Sequence, residues 1–64
     1  MVVVNGKEME MAGITVTEML DKLNFDHTKV VVEINQQIID KRNYHSIVLD
    51  EKDKIEIVGF VGGG

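Results

Sequence analysis

The sequence predicts an α+β fold in which one main helix lies across one face of a small mixed sheet. Three features predict it: an Asn5-Gly6 pair between two short strand-like runs, one capped amphipathic stretch near 15–23, and apolar β-branched runs at 30–34 and 54–61. Asn-Gly between such runs is the strongest short-range hairpin signal, because both turn residues must take positive φ.

Met1 to Val4 is the first strand, and Lys7 to Met11 returns from the turn, with Gly13 closing it. Thr15-Val16-Thr17-Glu18 fits a capping box, in which Thr15 caps the helix and Glu18 reaches back. Val16, Met19, Leu20 and Leu23 then fall at i, i+3, i+4 and i+7, one apolar stripe on a helix of two to three turns. Asp21, Lys22 and Asn24 face away. Val30 to Ile34 is the third strand, ended by the polar turn Asn35-Gln36-Gln37, and Ile38-Ile39 is a short fourth. Asp40 to Ser46 reads as irregular connection, Ile47 to Leu49 as a brief apolar return, and Asp50 to Asp53 as a charged turn before the last strand, Lys54 to Val61. The first and last strands are the most continuous apolar runs, which places both at the centre of the sheet. The order β-β-α-β-β-β with one covering helix is the β-grasp, or ubiquitin-like, arrangement.

Alternation along the strands separates two faces. Glu33 and Glu56 point to water, so Val30, Val32, Ile34, Ile55 and Ile57 form the core side. Val31, Val58 and Phe60 share the outer face with the glutamates and make an apolar cluster near the start of the tail. An exposed apolar patch marks a contact surface, unless a segment such as the 40–46 connection folds over it.

Bulk properties narrow the function. Sixty-four residues make one domain that buries only about 60% of its unfolded surface, which leaves little room for a deep pocket. A module that works on, or inside, a larger partner is favoured over a self-contained enzyme. The net charge is −4, no Lys/Arg block exists, and one Tyr and two Phe offer little to stack on bases, so nucleic acid is not the expected partner. The absence of cysteine excludes disulfides, thiolate metal sites and persulfide chemistry on a side chain. The first residues lack a basic region followed by a long apolar one, and no apolar run approaches the roughly 20 residues of a membrane span. The expectation is a cytoplasmic protein with no membrane partner.

Other candidate chemistry is thin. His27 and His45 stand on separate connections with no cysteine and no second histidine at ligand spacing, so no metal site is expected. His45 beside Tyr44 reads as a packed loop pair. Asp50, Glu51 and Asp53 lack the spacing and the glycine of a calcium loop and read as a solvated turn. Ser46 has neither base nor oxyanion motif near it, and the helical acyl-carrier pattern with its Asp-Ser-Leu serine is missing. Met9, Met11 and Met19 read as packing residues.

The tail is the most informative segment. The last strand leads straight into Gly62-Gly63-Gly64, three residues with nothing to bury and an entropic cost if ordered. A frayed terminus is one account of them. The other is a chain end threaded into a narrow active site, where three extended glycines reach about 10 Å. On this reading 1–61 is the β-grasp domain and 62–64 a flexible C-terminal tail.

Several stretches carry a resemblance along the whole chain: Asn5-Gly6-Lys7, Glu33-Ile34-Asn35-Gln36-Gln37-Ile38-Ile39, Arg42-Asn43-Tyr44, and above all Asp53 through Gly64. The chain resembles the sulfur carriers of thiamine biosynthesis, the ThiS family. A terminal Gly-Gly is shared with molybdopterin-synthase small subunits and with protein modifiers such as ubiquitin, whereas the Ile-Asn-Gln-Gln-Ile-Ile stretch is narrower. Gly59 stands where the family commonly has His or a bulkier residue. The resemblance implies a carrier that is not itself an enzyme, binds no cofactor of its own, and is modified at Gly64. It implies a ThiF-type, E1-like adenylyltransferase that uses ATP and magnesium to adenylate the Gly64 carboxylate. A cysteine desulfurase relay then converts the adenylate to a thiocarboxylate, and a ThiG-type thiazole synthase receives the sulfur. A molybdopterin-type carrier, a ubiquitin-like modifier joined to lysine through Gly64, and a plain interaction module with an inert tail are the alternatives.

Overall fold

The structure, a computed structural model, describes residues 1–59. Its strands are β1 (Val2–Val4), β2 (Lys7–Met9), β3 (Val30–Ile34), β4 (Gln37–Ile38) and β5 (Lys54–Gly59), with one helix, α1 (Val16–Lys22). The sheet order is β2-β1-β5-β3-β4, with β1 parallel to β5 and the other pairs antiparallel. β5 is the middle strand with β1 beside it, so the expected central placing of the first and last strands holds. The arrangement is the β-grasp one.

Local chemistry sets most of the boundaries. Asn5 and Gly6 both take positive φ (49° and 84°), as a two-residue hairpin requires. Asn35 and Gln36 do the same (51° and 71°), so the second hairpin also turns on two residues, and Gln37 belongs to β4 rather than to the turn. Asn35 repays its left-handed backbone: its side chain accepts from Lys54 N and donates to Asp53 Oδ1, both at 3.0 Å. At α1 the capping box is complete, Glu18 N donating to Thr15 Oγ1 at 3.1 Å and Thr15 N to Glu18 Oε1 at 3.0 Å. The helix closes on Asn24 (φ 61°), with Phe25 N bound to Leu20 O at 2.9 Å and Asn24 N to Asp21 O at 3.2 Å. That is a Schellman closure with asparagine in place of the usual glycine.

The core lies between the sheet and α1 and contains Val2, Val4, Val16, Met19, Leu20, Val30, Val32, Tyr44, Leu49, Ile55 and Ile57. Met9, Met11 and Ile34 are half-buried against it. All five residues assigned to the core side from alternation therefore lie there.

The 40–53 connection is more ordered than its composition implies. A single 3-10 turn at Lys41–Asn43, capped by Asp40, swings Tyr44 inward, where its hydroxyl accepts from Val32 N at 3.2 Å. His45 is exposed, so the expected Tyr44–His45 pair is not packed as a unit; only the aromatic ring, which gains from burial, is drawn in. Hydrogen bonds from the Arg42 side chain and backbone hold the Asp40 carboxyl down at about 2. Ile47–Leu49 lies along the entry to α1, with Val16 N donating to Ile47 O at 3.0 Å and Leu49 N to Ile14 O at 2.8 Å. The acidic turn is exposed but not loose: Asp53 Oδ2 accepts from Asp50 N at 2.8 Å, and the Met1 ammonium reaches both oxygens of Glu51 at 2.6 and 2.7 Å.

Asn5 also has a long-range task. Its side chain accepts from Ile57 N at 2.7 Å and donates to Ile57 O at 3.3 Å, taking the place of a strand neighbour after β1 ends. Asn5→Ala is expected to cost about 2 kcal/mol, from the left-handed backbone and the orphaned Ile57 amide. In a thermal melt that is a fall of roughly 10 °C for a domain of this size. Asn5→Gly should recover only the backbone share, and an Asn5→Gly variant that melts with the parent would show that the side-chain bonds carry nothing.

Candidate functional site

The strand register places the outer face of the sheet residue by residue. On β3 and β5, Val31 opposes Val58 and Glu33 opposes Glu56; on β4, Ile38 opposes Glu33. On the other side Val3 lies between Glu8 of β2 and Lys54 of β5. Directly opposed residues project from the same side of a sheet, so all eight share the face turned away from α1.

Two of the three residues expected to form an apolar patch are therefore neighbours. Val58 is 53% exposed and Val31 half-buried against it. Phe60, the third, lies outside the described residues, as do Val61 and Gly62-Gly63-Gly64. The 40–46 connection does not cover this face, because its one large apolar residue, Tyr44, is committed to the core. Ile38 is a member that sequence reasoning missed; it is 71% exposed. Recognising Asn35-Gln36 as a two-residue turn would have set the register that puts Ile38 opposite Glu33.

The end of β5 is equally well defined. Val30, the first residue of β3, opposes Gly59, while β1 has already stopped at Val4 and Asn5 has taken the last bonds at Ile57. The described register of β5 runs to Gly59. Among the described residues, a side chain at Gly59 would meet no atom within 4 Å, and its φ is not positive, so neither packing against them nor backbone strain demands glycine there.

The remaining polar residues are occupied or isolated. Ser46 Oγ donates to Asn43 O at 3.2 Å within its own turn. His27 Nε2 pairs with Asp21 Oδ1 at 2.9 Å on the surface. Among the described residues, no three His, Cys, Asp or Glu side chains are placed to share a metal ion. Nor, among them, is any helix long and apolar enough to cross a membrane.

A mixed sheet backed by one helix, with an apolar strip on its open face and a last strand leading toward terminal glycines, defines a ubiquitin-like β-grasp protein. Residues 2–64 match the model of the ThiS family, and the chain belongs to that family. It is 41% identical to the sulfur carrier protein ThiS of Bacillus subtilis, and the match covers the whole of both chains. It is 43% identical over 63 residues to a segment of a thiazole synthase from Paramagnetospirillum magneticum; that match covers 97% of this chain but spans only 19% of the synthase. The crystal structure of a ThiS protein from Geobacter metallireducens superposes with a TM-score of 0.80 at 30% identity, covering 98% of this chain and 97% of that one.

Proposed function

We propose that this chain is a sulfur carrier for thiazole formation in thiamine biosynthesis, a co-substrate of enzymes rather than an enzyme, working in the cytoplasm. One observation carries the reading: the family match runs through Gly64, and the B. subtilis carrier aligns over its entire length. The reactive group is the Gly64 carboxylate, with Gly62 and Gly63 giving it reach. A carboxylate is a poor acyl donor until its oxygen becomes a good leaving group. An E1-like adenylyltransferase, with ATP and magnesium, supplies that by forming the mixed anhydride with AMP and releasing pyrophosphate. A persulfide relayed from cysteine by a desulfurase displaces AMP to form an acyl disulfide; a thiol then attacks its outer sulfur, leaving a disulfide and releasing the thiocarboxylate, an ionised sulfur nucleophile at neutral pH. No cysteine thiol is needed on the carrier, which fits a chain that has none. Thiazole synthase then takes up the sulfur. Enclosing the tail in each partner protects both activated forms from water.

Docking falls to Val31, Val58 and Phe60, joined by Ile38. Val58→Asp is expected to weaken binding to thiazole synthase by tenfold or more while shifting the melting temperature little, because a half-exposed side chain contributes modestly to folding. Titration calorimetry beside a thermal melt reads both, and a large loss of stability with unchanged binding would reverse the assignment. The class of function is tested by reconstitution: with the adenylyltransferase, ATP, magnesium, desulfurase, cysteine, and thiazole synthase with its other substrates present, thiazole forms and denaturing gels show no lysine conjugates. A ladder of conjugates would make the chain a modifier instead.

A further inference from the structure

We infer that the outer sheet face fits a thiazole synthase surface that sets a guanidinium or ammonium group between Glu33 and Glu56, inside a ring of apolar contacts to Val58, Val31 and Ile38. This rests on the carrier reading and adds the chemistry of the surface that receives the domain.

The observation behind it is a conflict within the sheet. Glu33 and Glu56 are directly opposed on β3 and β5, with their Cβ atoms roughly 5 Å apart by strand geometry. Like charges so placed destabilise a sheet, and alternation leaves these two positions open to any polar residue. Among the described residues neither carboxylate has an ion-pair partner. Of the described residues that the register places on this face, Glu8, Glu33 and Glu56 are acidic and Lys54 is the basic one, standing two residues back along β5, opposite Val3.

The setting of the pair differs from that of an ordinary solvated charge. Ile38 stands opposite Glu33, Val58 follows two residues after Glu56, and Val31 faces Val58. A partner that buries these apolar groups also withdraws the two carboxylates from water. Two adjacent anions can be desolvated only against a cation, so a neutral or acidic surface is rejected and a basic one accepted. Arginine suits the position best, since its planar fork can engage both carboxylates. A segment similar to this chain occurs within a thiazole synthase, which places domain and enzyme in one polypeptide there and makes the synthase the partner of choice.

The test uses the full chain and purified thiazole synthase, with Glu33→Gln, Glu56→Gln, the double variant, and Asp21→Asn as an equal charge change on the helix. Binding is measured at low and at high salt, beside a thermal melt. The double variant is expected to bind about tenfold more weakly at low salt and to lose most of the salt dependence of the parent chain. It should melt at the same or a higher temperature, because the repulsion is gone, and Asp21→Asn should bind like the parent. Unchanged affinity and salt response in the double variant would overturn the inference. If Val58→Asp then still abolished binding, the face would dock without the charge pair and the carrier reading would stand. If Gly64 were never converted to a thiocarboxylate, the carrier reading itself would fall.

Discussion

Deleting Gly63 and Gly64 is expected to abolish sulfur transfer while leaving the fold intact. The buried core of the described residues runs from Val2 to Ile57, short of the tail. Terminal glycines add no apolar burial, so their loss should change stability by less than about 0.5 kcal/mol. Chemistry has no such tolerance. Two extended residues span about 7 Å, and a carboxylate left at Gly62 would fall that far short of the groups that activate it. Misplacement by as little as 1 Å can cost a hundredfold in rate. Thiazole formation in a reconstituted mixture should drop to background, with the thermal melt superimposing on that of the full chain. Retained thiazole formation would show that the reactive group lies elsewhere, and a collapsed melt would show that the tail is part of the fold.

Tyr44→Ala is expected to produce the largest loss of stability of any single change considered. The ring is 3% exposed and sits in the core, and its hydroxyl accepts the Val32 amide at 3.2 Å. Truncating a buried aromatic residue costs about 3–5 kcal/mol, and the abandoned amide adds to it. A domain of this length has roughly 3–10 kcal/mol in total. The variant should be largely unfolded at 37 °C, as circular dichroism would report. Tyr44→Phe separates the contributions: it keeps the ring and orphans only Val32 N, at a cost of about 1–2 kcal/mol. Because Tyr44 packs on the helix side, Tyr44→Phe should bind thiazole synthase as well as the parent wherever it is folded. A Tyr44→Ala variant as stable as the parent would mean that the 40–46 connection can detach from the core without consequence.

The contrast between Tyr44 and Val58 shows what a sequence of this kind discloses. Strand alternation divided Val30, Val32, Ile34, Ile55 and Ile57 from Val31, Glu33, Glu56 and Val58 correctly, because a strand's period of two is local and one helix can cover only one face. Asn5-Gly6 and Thr15-x-x-Glu18 were legible for the same reason: each is a backbone requirement met by its own neighbours. Tyr44 was not, since nothing within the 40–46 segment tells that its ring will meet Val32, twelve residues away. Nor were the opposed glutamates, because alternation names the face of a residue and never its partner. That register is fixed where Asn35 ties its turn to Asp53 and Lys54, eighteen and nineteen residues on. Asn24 and Gln36 take positive φ without being glycine, so residue type alone does not mark those positions. Of the candidate site, the Val31–Val58 pair was readable, whereas Ile38 and the charge pattern around it needed the sheet.

The most direct test of the carrier reading is intact-protein mass spectrometry of this chain after incubation with an E1-like adenylyltransferase, ATP, magnesium, a desulfurase and cysteine. The account predicts a mass gain equal to the exchange of one oxygen for sulfur, mapped by fragmentation to Gly64 and absent when ATP is withheld. An unchanged mass in the presence of an adenylyltransferase shown to be competent on another carrier would contradict it.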